Sequence, residues 1–399
     1  MTVFRAQSDY YVGFDQGNAI RNYLGRFSGV SAADVSGTAD LVNFANAAQS
    51  TVTSPYSSQV LLEAGTGFAG GNPVVQYLGF EDHNLSPDPV FPDRLGLTWS
   101  IDDAAMSKSS LDTAIASQDE VAFAAILKTV FAGDDYFYLS QGDDTVSTYG
   151  GDDVIYLNGG VDIVYAGDGN DTIYDLIFQK DSGAGSNLYG GNGNDLYVIQ
   201  SARDHIFEAP AQGTDHVSIV DAHAGYRYVM AANVEDCSLD NTVDYSVTGN
   251  ALGNVITGNQ GRNTLAGGAG KDTLSGGTGN DQLTGGAGAD RFVFDTAPNA
   301  RSNVDRITDF SVLDRDKIIL STAIFTGIDH TGSLHSPEFY AGRGVTGAHD
   351  DTDRIVYDTA SGKLYYDADG VGGMDAILIA QLGATMHPML GAGDIQLIA

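Results

Sequence analysis

Aspartate and asparagine side chains recur every nine residues in two stretches of the chain. The first series is Asp135, Asp144, Asp153, Asp162 and Asp171, and the second is Asn254, Asn263, Asp272, Asp281 and Asp290. Carboxylate oxygens are the ligands that hard cations such as Ca²⁺ prefer. A fixed spacing of such ligands predicts a row of similar metal sites.

Apolar side chains accompany these residues at a constant offset of two positions. They are Phe137, Val146, Ile155, Val164, Ile173, Leu265, Leu274, Leu283 and Phe292. A flexible linker rich in glycine and aspartate has no reason to keep this offset. The pattern therefore predicts a repeated unit in which a glycine-rich turn precedes a short strand with one buried side chain.

Successive strands of such a repeat alternate between two sheets, so turns that are two repeats apart stack on the same edge. A cation between two stacked turns can collect two carboxylates and several loop carbonyls, because glycine lets the backbone approach closely. The predicted sites lie between Asp135/Asp153, Asp144/Asp162, Asp153/Asp171, Asn263/Asp281 and Asp272/Asp290.

The sequence predicts a mainly β fold with two parallel β-rolls of nonapeptide repeats, an α+β N-terminal domain and a β-rich C-terminal domain. The predicted boundaries are 1–130 for the N-terminal domain, 131–200 for the first roll, 201–247 for a β connector, 248–293 for the second roll and 294–399 for the C-terminal domain. Within 1–130, helical patterns cover 18–27, 39–48 and 117–130, and strand patterns cover 59–63, 74–80 and 95–101. In the last domain, DRIVYDTASGKLYYDADG predicts a hairpin around a Ser-Gly turn.

The segment from Gly267 to Val293, GGAGKDTLSGGTGNDQLTGGAGADRFV, repeats the pattern Gly-Gly-x-Gly-x-Asp-x-apolar-x. It resembles the calcium-binding repeats of the RTX family of secreted bacterial proteins, and in particular the β-roll region of serralysin-type proteases. The later segment VDRITDFSVLDRDKIILS is similar to the domain that follows the roll in those proteins. The resemblance implies that the rolls hold several Ca²⁺ ions.

The resemblance also implies carbonyl ligands, from motif positions 2 and 4 of the first turn and positions 1 and 3 of the second. One implied site comprises Gly268, Gly270, Asp272, Gly285, Ala287 and Asp290. Another comprises Asn259, Gly261, Asn263, Gly276, Thr278 and Asp281. A further GGNGND motif ends at Asp195, outside the nine-residue register, and is interpreted as a metal-binding cap of the first roll.

Some turns depart from the motif. Asn254 and Asn263 replace aspartate, so we expect weaker cation binding there because the negative charge is lower. Tyr149 and Asn158 stand where the second glycine of the motif belongs. A carbonyl ligand needs no particular side chain, so these sites are expected to persist.

The chain of 399 residues is strongly acidic, with 19 Lys and Arg against 52 Asp and Glu and a formal net charge of −33. This charge excludes nucleic acid as a partner, because phosphates would be repelled. The single cysteine, Cys237, excludes an internal disulfide bond, and its expected state is burial. No apolar run of about 20 residues predicts a membrane span.

The sequence features that bear on localisation point in two directions. The segment MTVFRAQSDYYVGFDQ lacks the basic and apolar regions of a cleaved secretory signal peptide. The RTX resemblance instead implies an extracellular protein, exported by a type I ABC secretion apparatus through an uncleaved C-terminal signal. The ending GAGDIQLIA is typical of such substrates. Calcium outside the cell would then fold the exported chain.

No catalytic motif accompanies the repeats. The sequence contains neither the His-Glu-x-x-His pattern of a zinc protease nor the Gly-x-Ser-x-Gly pattern of a lipase. We therefore expect a non-enzymatic protein that serves extracellular adhesion or a matrix, with an unrecognised extracellular hydrolase as one alternative.

The sequence also contains candidate sites outside the two repeat arrays and on their surface. Tyr77 and His83 flank a loop in the N-terminal domain and are candidate haem or small-ligand contacts. Tyr138, Tyr156 and Tyr174 are spaced two repeats apart and predict an outward row of rings that could contact surface glycans. The segment Asp367-Ala-Asp369-Gly370, with Asp375, could form half of a calcium loop or a plain turn.

Overall fold

Short strands joined by tight turns account for most of the residues that the computed structural model describes. The described residues are 3–6, 60–69, 72–82, 97–107, 128, 131–139, 143–176, 185–220, 223–383 and 387–399. Over these ranges the chain is mainly β, as predicted. It divides into two units, Met1–Phe207 and Glu208–Ala399.

Among the described residues, the first unit begins with four strands that precede the repeats: β1 (Val3–Ala6), β2 (Val60–Ala69), β3 (Asn72–Asp82) and β4 (Leu97–Ser107). Strands β2, β3 and β4 form an antiparallel meander, and β1 is antiparallel to β4. The strands predicted at 59–63, 74–80 and 95–101 are thereby confirmed, and all three are longer than predicted. The helices predicted at 18–27 and 39–48 lie outside the described residues, as does all of 117–130 except Lys128, which is helical.

The first repeat array forms a parallel β-roll. Its strands are β5 (Tyr136–Tyr138), β6 (Thr145–Ser147), β7 (Val154–Tyr156), β8 (Ile163–Asp168), β9 (Thr172–Asp175), β10 (Asn187–Asn192), β11 (Leu196–Ile199) and β12 (His205–Phe207). Odd-numbered strands form one sheet in the order β5-β7-β9-β11, which β1 joins in parallel beside β5. Even-numbered strands form the second sheet, β12-β10-β8-β6. The predicted alternation between two sheets is therefore confirmed.

The space between the two sheets is filled by the apolar residues that follow each aspartate by two positions. Phe137, Val146, Ile155, Val164 and Ile173 are all completely buried. The neighbours of each in its strand are partly exposed, which is the alternation that a strand with one buried face requires.

In the second unit the strands of the predicted connector and of the second roll follow one another without a change of pattern. They are β13 (His216–Ile219), β14 (Arg227–Val229), β15 (Asp236–Leu239), β16 (Ser246–Thr248), β17 (Val255–Thr257), β18 (Thr264–Ala269), β19 (Thr273–Ser275), β20 (Gln282–Ala287), β21 (Arg291–Phe294), β22 (Asp305–Ile307) and β23 (Lys317–Ser321). Each pairs in parallel with a strand two places away along the chain. Parallel pairing of strands thus continues across the predicted domain boundaries at 247/248 and 293/294. These domain boundaries stay predictions.

The remaining elements close the ends of these two sheets. They are β24 (Gly332–Ser333), a 3-10 helix (Ser336–Glu338), β25 (Phe339–Gly342), β26 (Ile355–Asp358), β27 (Lys363–Tyr366), β28 (Ile377–Leu382), a second 3-10 helix (Ala392–Asp394) and β29 (Ile395–Ile398). One sheet runs β13-β15-β17-β19-β21-β23-β29-β24, and the other runs β14-β16-β18-β20-β22-β28-β27-β26-β25. Strands β26 and β27 are antiparallel around Ser361 and Gly362, which confirms the predicted hairpin. Across the described part of the chain, no helix has the length and apolar character needed to traverse a bilayer.

Candidate metal-binding turns

From Asp153 onward, the repeat aspartates end their turns with buried carboxylates that reach the turn two repeats earlier. Oδ1 of Asp153 accepts the backbone N–H of Asp135 at 2.8 Å, and Oδ1 of Asp171 accepts that of Asp153 at 2.8 Å. On the other edge of the roll, Oδ1 of Asp162 accepts the N–H of Asp144 at 2.8 Å. The structure therefore brings together the first three predicted pairs.

The second array repeats this geometry. Oδ1 of Asp281 accepts the N–H of Asn263 at 2.7 Å, and Oδ1 of Asp290 accepts that of Asp272 at 3.0 Å. The remaining two predicted pairs are thus also adjacent. Asp272 itself accepts the N–H of Asn254 at 2.7 Å. Each carboxylate uses one oxygen to hold two stacked turns in register.

The second carboxylate oxygen has a different environment. Within the described residues, no hydrogen-bond donor reaches the buried Oδ2 of Asp162, Asp171, Asp272 or Asp290. A buried carboxylate oxygen without a donor destabilises a fold unless a cation or a proton neutralises it. These four oxygens are therefore candidate cation ligands.

Burial also changes the protonation of these groups. It raises the pKa of Asp153 to about 7, that of Asp171 to about 8 and that of Asp162 to about 9. It raises the pKa of Asp272 to about 6 and raises that of Asp290 as well. The neighbouring N–H groups oppose this effect but do not overcome it. The carboxylates need a positive partner if they are to stay charged in the fold.

The glycines at motif position 1 lie beside the second carboxylate oxygen of their own turn. A side chain at Gly285 would overlap Oδ2 of Asp290, and one at Gly276 would overlap Oδ2 of Asp281. Backbone and carboxylate therefore approach so closely that only glycine fits. Gly276 and Gly285, whose carbonyls are predicted ligands, therefore lie directly beside Asp281 and Asp290, the carboxylate ligands predicted for the same sites.

The other predicted carbonyl ligands line the seam between stacked turns. The carbonyls of Gly268 and Gly270 face the glycines two repeats later in the chain. Ala287 accepts the N–H of Gly270 at 2.8 Å, and Asn259 accepts that of Thr278 at 2.9 Å. A carbonyl oxygen has two lone pairs, so one hydrogen bond leaves room for a cation. Gly261 is buried in the same seam.

At the start of the second roll, side-chain amides donate hydrogen bonds to backbone carbonyls of the preceding turn. Asn254 donates from Nδ2 to the carbonyls of Val234 at 2.9 Å and Glu235 at 3.1 Å. Asn250 donates to the carbonyls of Ala231 and Val234, each at 2.7 Å. An amide N–H group can satisfy a carbonyl without any metal. The expectation of weaker cation binding at Asn254 therefore has a structural basis.

In the first roll, non-glycine residues tolerate the turn geometry. Tyr149 has φ 72° and Asn158 has φ 62°, both in the left-handed region where glycine is favoured. The carbonyl of Tyr149 still faces Gly167, two repeats later, as the glycine carbonyls do in the second roll. The carbonyl of Tyr149 thus has the same neighbour in the stack as the carbonyls of Gly268 and Gly270 have.

The aspartate ladders extend beyond the nine-residue register. Oδ1 of Asp195 accepts the N–H of Asp171 at 2.8 Å, which places the off-register motif directly on the first roll. Asp305 accepts the N–H of Asp281 at 3.1 Å, and Asp316 accepts that of Asp290 at 2.9 Å. On the other edge of the first roll, Ser186 and then Asp204 continue the series.

Spacing alone misses three aspartates of these ladders, Asp204, Asp305 and Asp316. Insertions place Asp305 and Asp316 at intervals of 24 and 26 residues from their partners, and Asp204 pairs with Ser186, which is itself off the register. A sequence signal does exist, because each is followed two positions later by isoleucine, at Ile206, Ile307 and Ile318, as in the repeats. The Asp-x-apolar triplet persists where the glycines have been lost.

Aromatic rings form two rows on the first roll. The predicted row of Tyr138, Tyr156 and Tyr174 is present, with ring centroids 5.0 and 4.7 Å apart. A second row, on the other sheet, joins Tyr165 to Tyr189 at 4.7 Å and Tyr189 to Phe207 at 4.6 Å. Sequence analysis missed it because its first interval is not a multiple of the repeat period. In both rows the rings stack on one another, so they present their edges outward, together with the hydroxyl groups of the tyrosines.

The remaining candidates are single residues. Cys237 is buried, as predicted, and burial raises the pKa of its thiol, which makes it a poor nucleophile. Asp367 accepts the N–H of Gly370 at 3.0 Å, which is the geometry of a plain turn. Tyr77 lies in β3, whereas His83 lies outside the described residues.

Comparison with known protein families agrees with the geometry of the turns. The family model of the RTX calcium-binding nonapeptide repeat matches in four copies, at residues 131–146, 138–173, 248–283 and 257–292. Among solved structures, the solution structure of the AlgE6R3 subunit of mannuronan C5-epimerase from Azotobacter vinelandii is 23% identical, over 44% of this chain and 85% of that chain, with a TM-score of 0.27. A search for similar curated proteins finds no match.

Proposed function

We propose that the arrays at 131–173 and 248–292, which match the family model of the RTX calcium-binding nonapeptide repeat, hold Ca²⁺ ions between turns that are two repeats apart. The observation that carries the assignment is the buried Oδ2 of Asp162, Asp171, Asp272 and Asp290, which no donor among the described residues reaches. The ligands of the first roll are Asp135, Asp144, Asp153, Asp162, Asp171 and the capping Asp195.

In the second roll, the proposed ligand sets combine carbonyls with carboxylates. One site uses Asp272 and Asp290 with the carbonyls of Gly268, Gly270, Gly285 and Ala287. The other uses Asn263 and Asp281 with the carbonyls of Asn259, Gly261, Gly276 and Thr278. Six oxygens suit Ca²⁺, which takes six to eight hard ligands, and do not suit a soft metal.

We propose in addition that Asp305 and Asp316 extend the series of sites. Their carboxylates hold Asp281 and Asp290 in the way that the repeat aspartates hold one another. Both are buried, and burial raises the pKa of each carboxyl. The number of Ca²⁺ ions bound would then exceed the number that the nine-residue register predicts.

Calcium binding is proposed to be coupled to folding. Without a cation, stacked turns bring several buried carboxylates together, and their desolvation and mutual repulsion oppose the fold. With Ca²⁺ the binding free energy becomes folding free energy. We propose that the chain is exported by a type I secretion apparatus and folds in extracellular calcium, as the resemblance to secreted RTX proteins supports.

The test replaces Asp171, which is bonded to both Asp153 and Asp195 in its ladder, by asparagine. Asp171→Asn keeps an oxygen to accept the N–H of Asp153 but removes the charge of Oδ2. At a calcium concentration about 100 times Kd, each lost site lowers the free energy of unfolding by about 3 kcal/mol. Isothermal titration calorimetry should count fewer ions, and urea denaturation in Ca²⁺ should show the lower stability.

Asp152→Asn is the matched control, because Asp152 is an exposed turn residue of the same roll and its replacement changes the net charge equally. It should leave the ion count unchanged. An Asp171→Asn protein that binds as many ions as the parent, with the same affinity, would contradict the assignment.

For the biological role we propose extracellular adhesion or matrix building, supported by the partly exposed aromatic rows of the first roll. Since the rings stack face to face, contact with a glycan would use hydroxyl groups and ring edges, for which Tyr138, Tyr156 and Tyr174 are suited. Replacing all three by serine should abolish binding to a glycan array. Equal binding by the parent and the triple variant would count against this role.

A further inference from the structure

Two imidazoles and a carboxylate meet in the second unit, away from the aspartate ladders. Nε2 of His330 lies 2.8 Å from Oε2 of Glu338, and Nδ1 of His335 lies 3.6 Å from the same oxygen. The two imidazole rings are stacked, with centroids 3.8 Å apart. One ligand atom from each of the three residues lies within 4.8 Å of the other two.

The backbone around this cluster is fixed by hydrogen bonds. His330 and His335 flank β24, which pairs with β29, so the chain returns on itself between them. The 3-10 turn that follows is closed by the N–H of Glu338, which donates to the carbonyl of His335 at 2.9 Å. Oε2 of Glu338 accepts the N–H of His335 at 2.9 Å, which orients the carboxylate toward both rings.

Neighbouring strands hold the turn from the other side. The N–H of Arg354 donates to the carbonyl of Glu338 at 2.8 Å, and the hydroxyl of Thr352 donates to the carbonyl of Pro337 at 2.8 Å. Leu334 donates to the carbonyl of Ile395 at 3.1 Å. The three side chains are therefore brought together by a well-supported framework, which lowers the entropy lost when a ligand binds.

The donor set differs in kind from that of the rolls. Two nitrogen atoms and one carboxylate oxygen suit Zn²⁺ and similar ions, whereas Ca²⁺ prefers oxygen alone. In a tetrahedral zinc site, ligand atoms are about 3.3 Å apart, and the two distances to Oε2 of Glu338 fall on either side of this value.

We propose that His330, His335 and Glu338 bind one divalent ion of the zinc class, independently of the calcium sites. The side chain of His335 is 65% exposed, against 19% for His330 and 17% for Glu338. The cluster is thus open to solvent on the side of His335. A water molecule or an external ligand can complete the coordination there.

A simple hydrogen bond between His330 and Glu338 would explain their contact but not the approach of the His335 ring to the same carboxylate oxygen. A second nearby cluster, His349 with Asp350 and Asp353, offers a single imidazole, and its His349 is 64% exposed. Oδ2 of Asp353 already accepts the N–H groups of His349 at 2.6 Å and Asp350 at 3.0 Å. This second cluster is the weaker candidate and provides a control.

The test titrates the calcium-saturated full chain with ZnCl₂ by calorimetry and with CoCl₂ by visible absorption. The parent is expected to bind one Zn²⁺ at the cluster and to give the strong visible bands of tetrahedral Co²⁺. Because loss of even an outer contact to a metal ligand weakens binding by about 10–100-fold, His330→Ala and His335→Ala should each weaken Zn²⁺ binding by more than about 100-fold.

Glu338→Gln separates coordination from folding, because glutamine can still accept the N–H of His335 while it loses the charged ligand. It should bind Zn²⁺ more weakly with an unchanged circular dichroism spectrum in Ca²⁺. His223→Ala, at an exposed histidine of the same unit, and His349→Ala should bind like the parent. Zn²⁺ binding that survives all three cluster substitutions, or that is lost in His349→Ala, would overturn the proposal.

Discussion

At the scale of single residues, the two carboxylate oxygens of a ladder aspartate have different environments. In Asp171, Oδ1 accepts an N–H from the preceding turn, whereas Oδ2 is buried and no donor among the described residues reaches it. The first oxygen sets the register of the stack. The second leaves a local excess of negative charge that only a proton or a cation can remove.

This division predicts opposite effects of pH with and without calcium. In chelator, folding raises the pKa of Asp153, Asp162 and Asp171 to about 7, 9 and 8 from about 4 in the unfolded chain. The folded state therefore binds protons more tightly than the unfolded state. The contribution of these three groups to the free energy of unfolding is therefore greatest below about pH 4. It falls as the pH rises through their pKa values in the folded state.

The measurement is the urea midpoint of the circular dichroism signal between about pH 4 and pH 8, in chelator and in saturating Ca²⁺. We expect the midpoint in chelator to fall with rising pH. In Ca²⁺ it should rise, because the ion binds only the deprotonated carboxylates. A midpoint in chelator that rises with pH would show that the buried carboxylates stay charged without metal.

At the scale of the elements, the turns are stacked so closely that carbonyls and α-carbons of neighbouring rungs are in contact. At Gly167 a side chain would overlap the carbonyl of Tyr149, which is a predicted seam position. Gly159 has nearly the same backbone angle, φ 115° against 120°, but no atom lies within 4 Å of where its side chain would be. The two positions separate the effect of conformation from the effect of crowding.

Gly167→Ala and Gly159→Ala therefore form a matched pair. Both place alanine in the left-handed region, at a cost of about 1–3 kcal/mol. Only Gly167→Ala also displaces the carbonyl of the adjacent turn, so it should weaken calcium binding as well as stability. Calorimetric titration of the two variants tests this. The same calcium affinity in both would mean that the Tyr149 carbonyl takes no part in coordination.

The repeat period accounts for the part of the fold that the sequence predicted best. A side chain that recurs two positions after each aspartate must face the same interior, and Ile155 and Leu274 are indeed fully buried. Asp305 and Asp316 were not predicted, because insertions between strands change the number of residues between successive aspartates without changing which strands pair. The histidine cluster was not predicted either. Its members are brought together by β24 and a 3-10 turn, and the nine-residue repeat does not extend to them.

At the scale of the whole chain, the net charge of −33 has two components. Exposed carboxylates such as Asp152 are screened by salt at a distance of about 8 Å under physiological conditions. Buried ones such as Asp162 and Asp290 are screened much less, since ions in bulk water do not enter the seams. Acidity on the surface favours solubility, whereas acidity in the seams creates a specific requirement for a bound cation.

The shared aspartates make each ladder a one-dimensional lattice. Asp153 accepts the N–H of Asp135 with its carboxylate and donates its own N–H to Asp171. Ordering of one turn therefore also orders the ligands of the next site in the stack. With the proposed ligands, occupancy then spreads by nearest-neighbour coupling, as in other stacked repeats. A longer ladder responds to calcium over a narrower concentration range, so the number of rungs sets how sharply the chain distinguishes a calcium-poor compartment from a calcium-rich one.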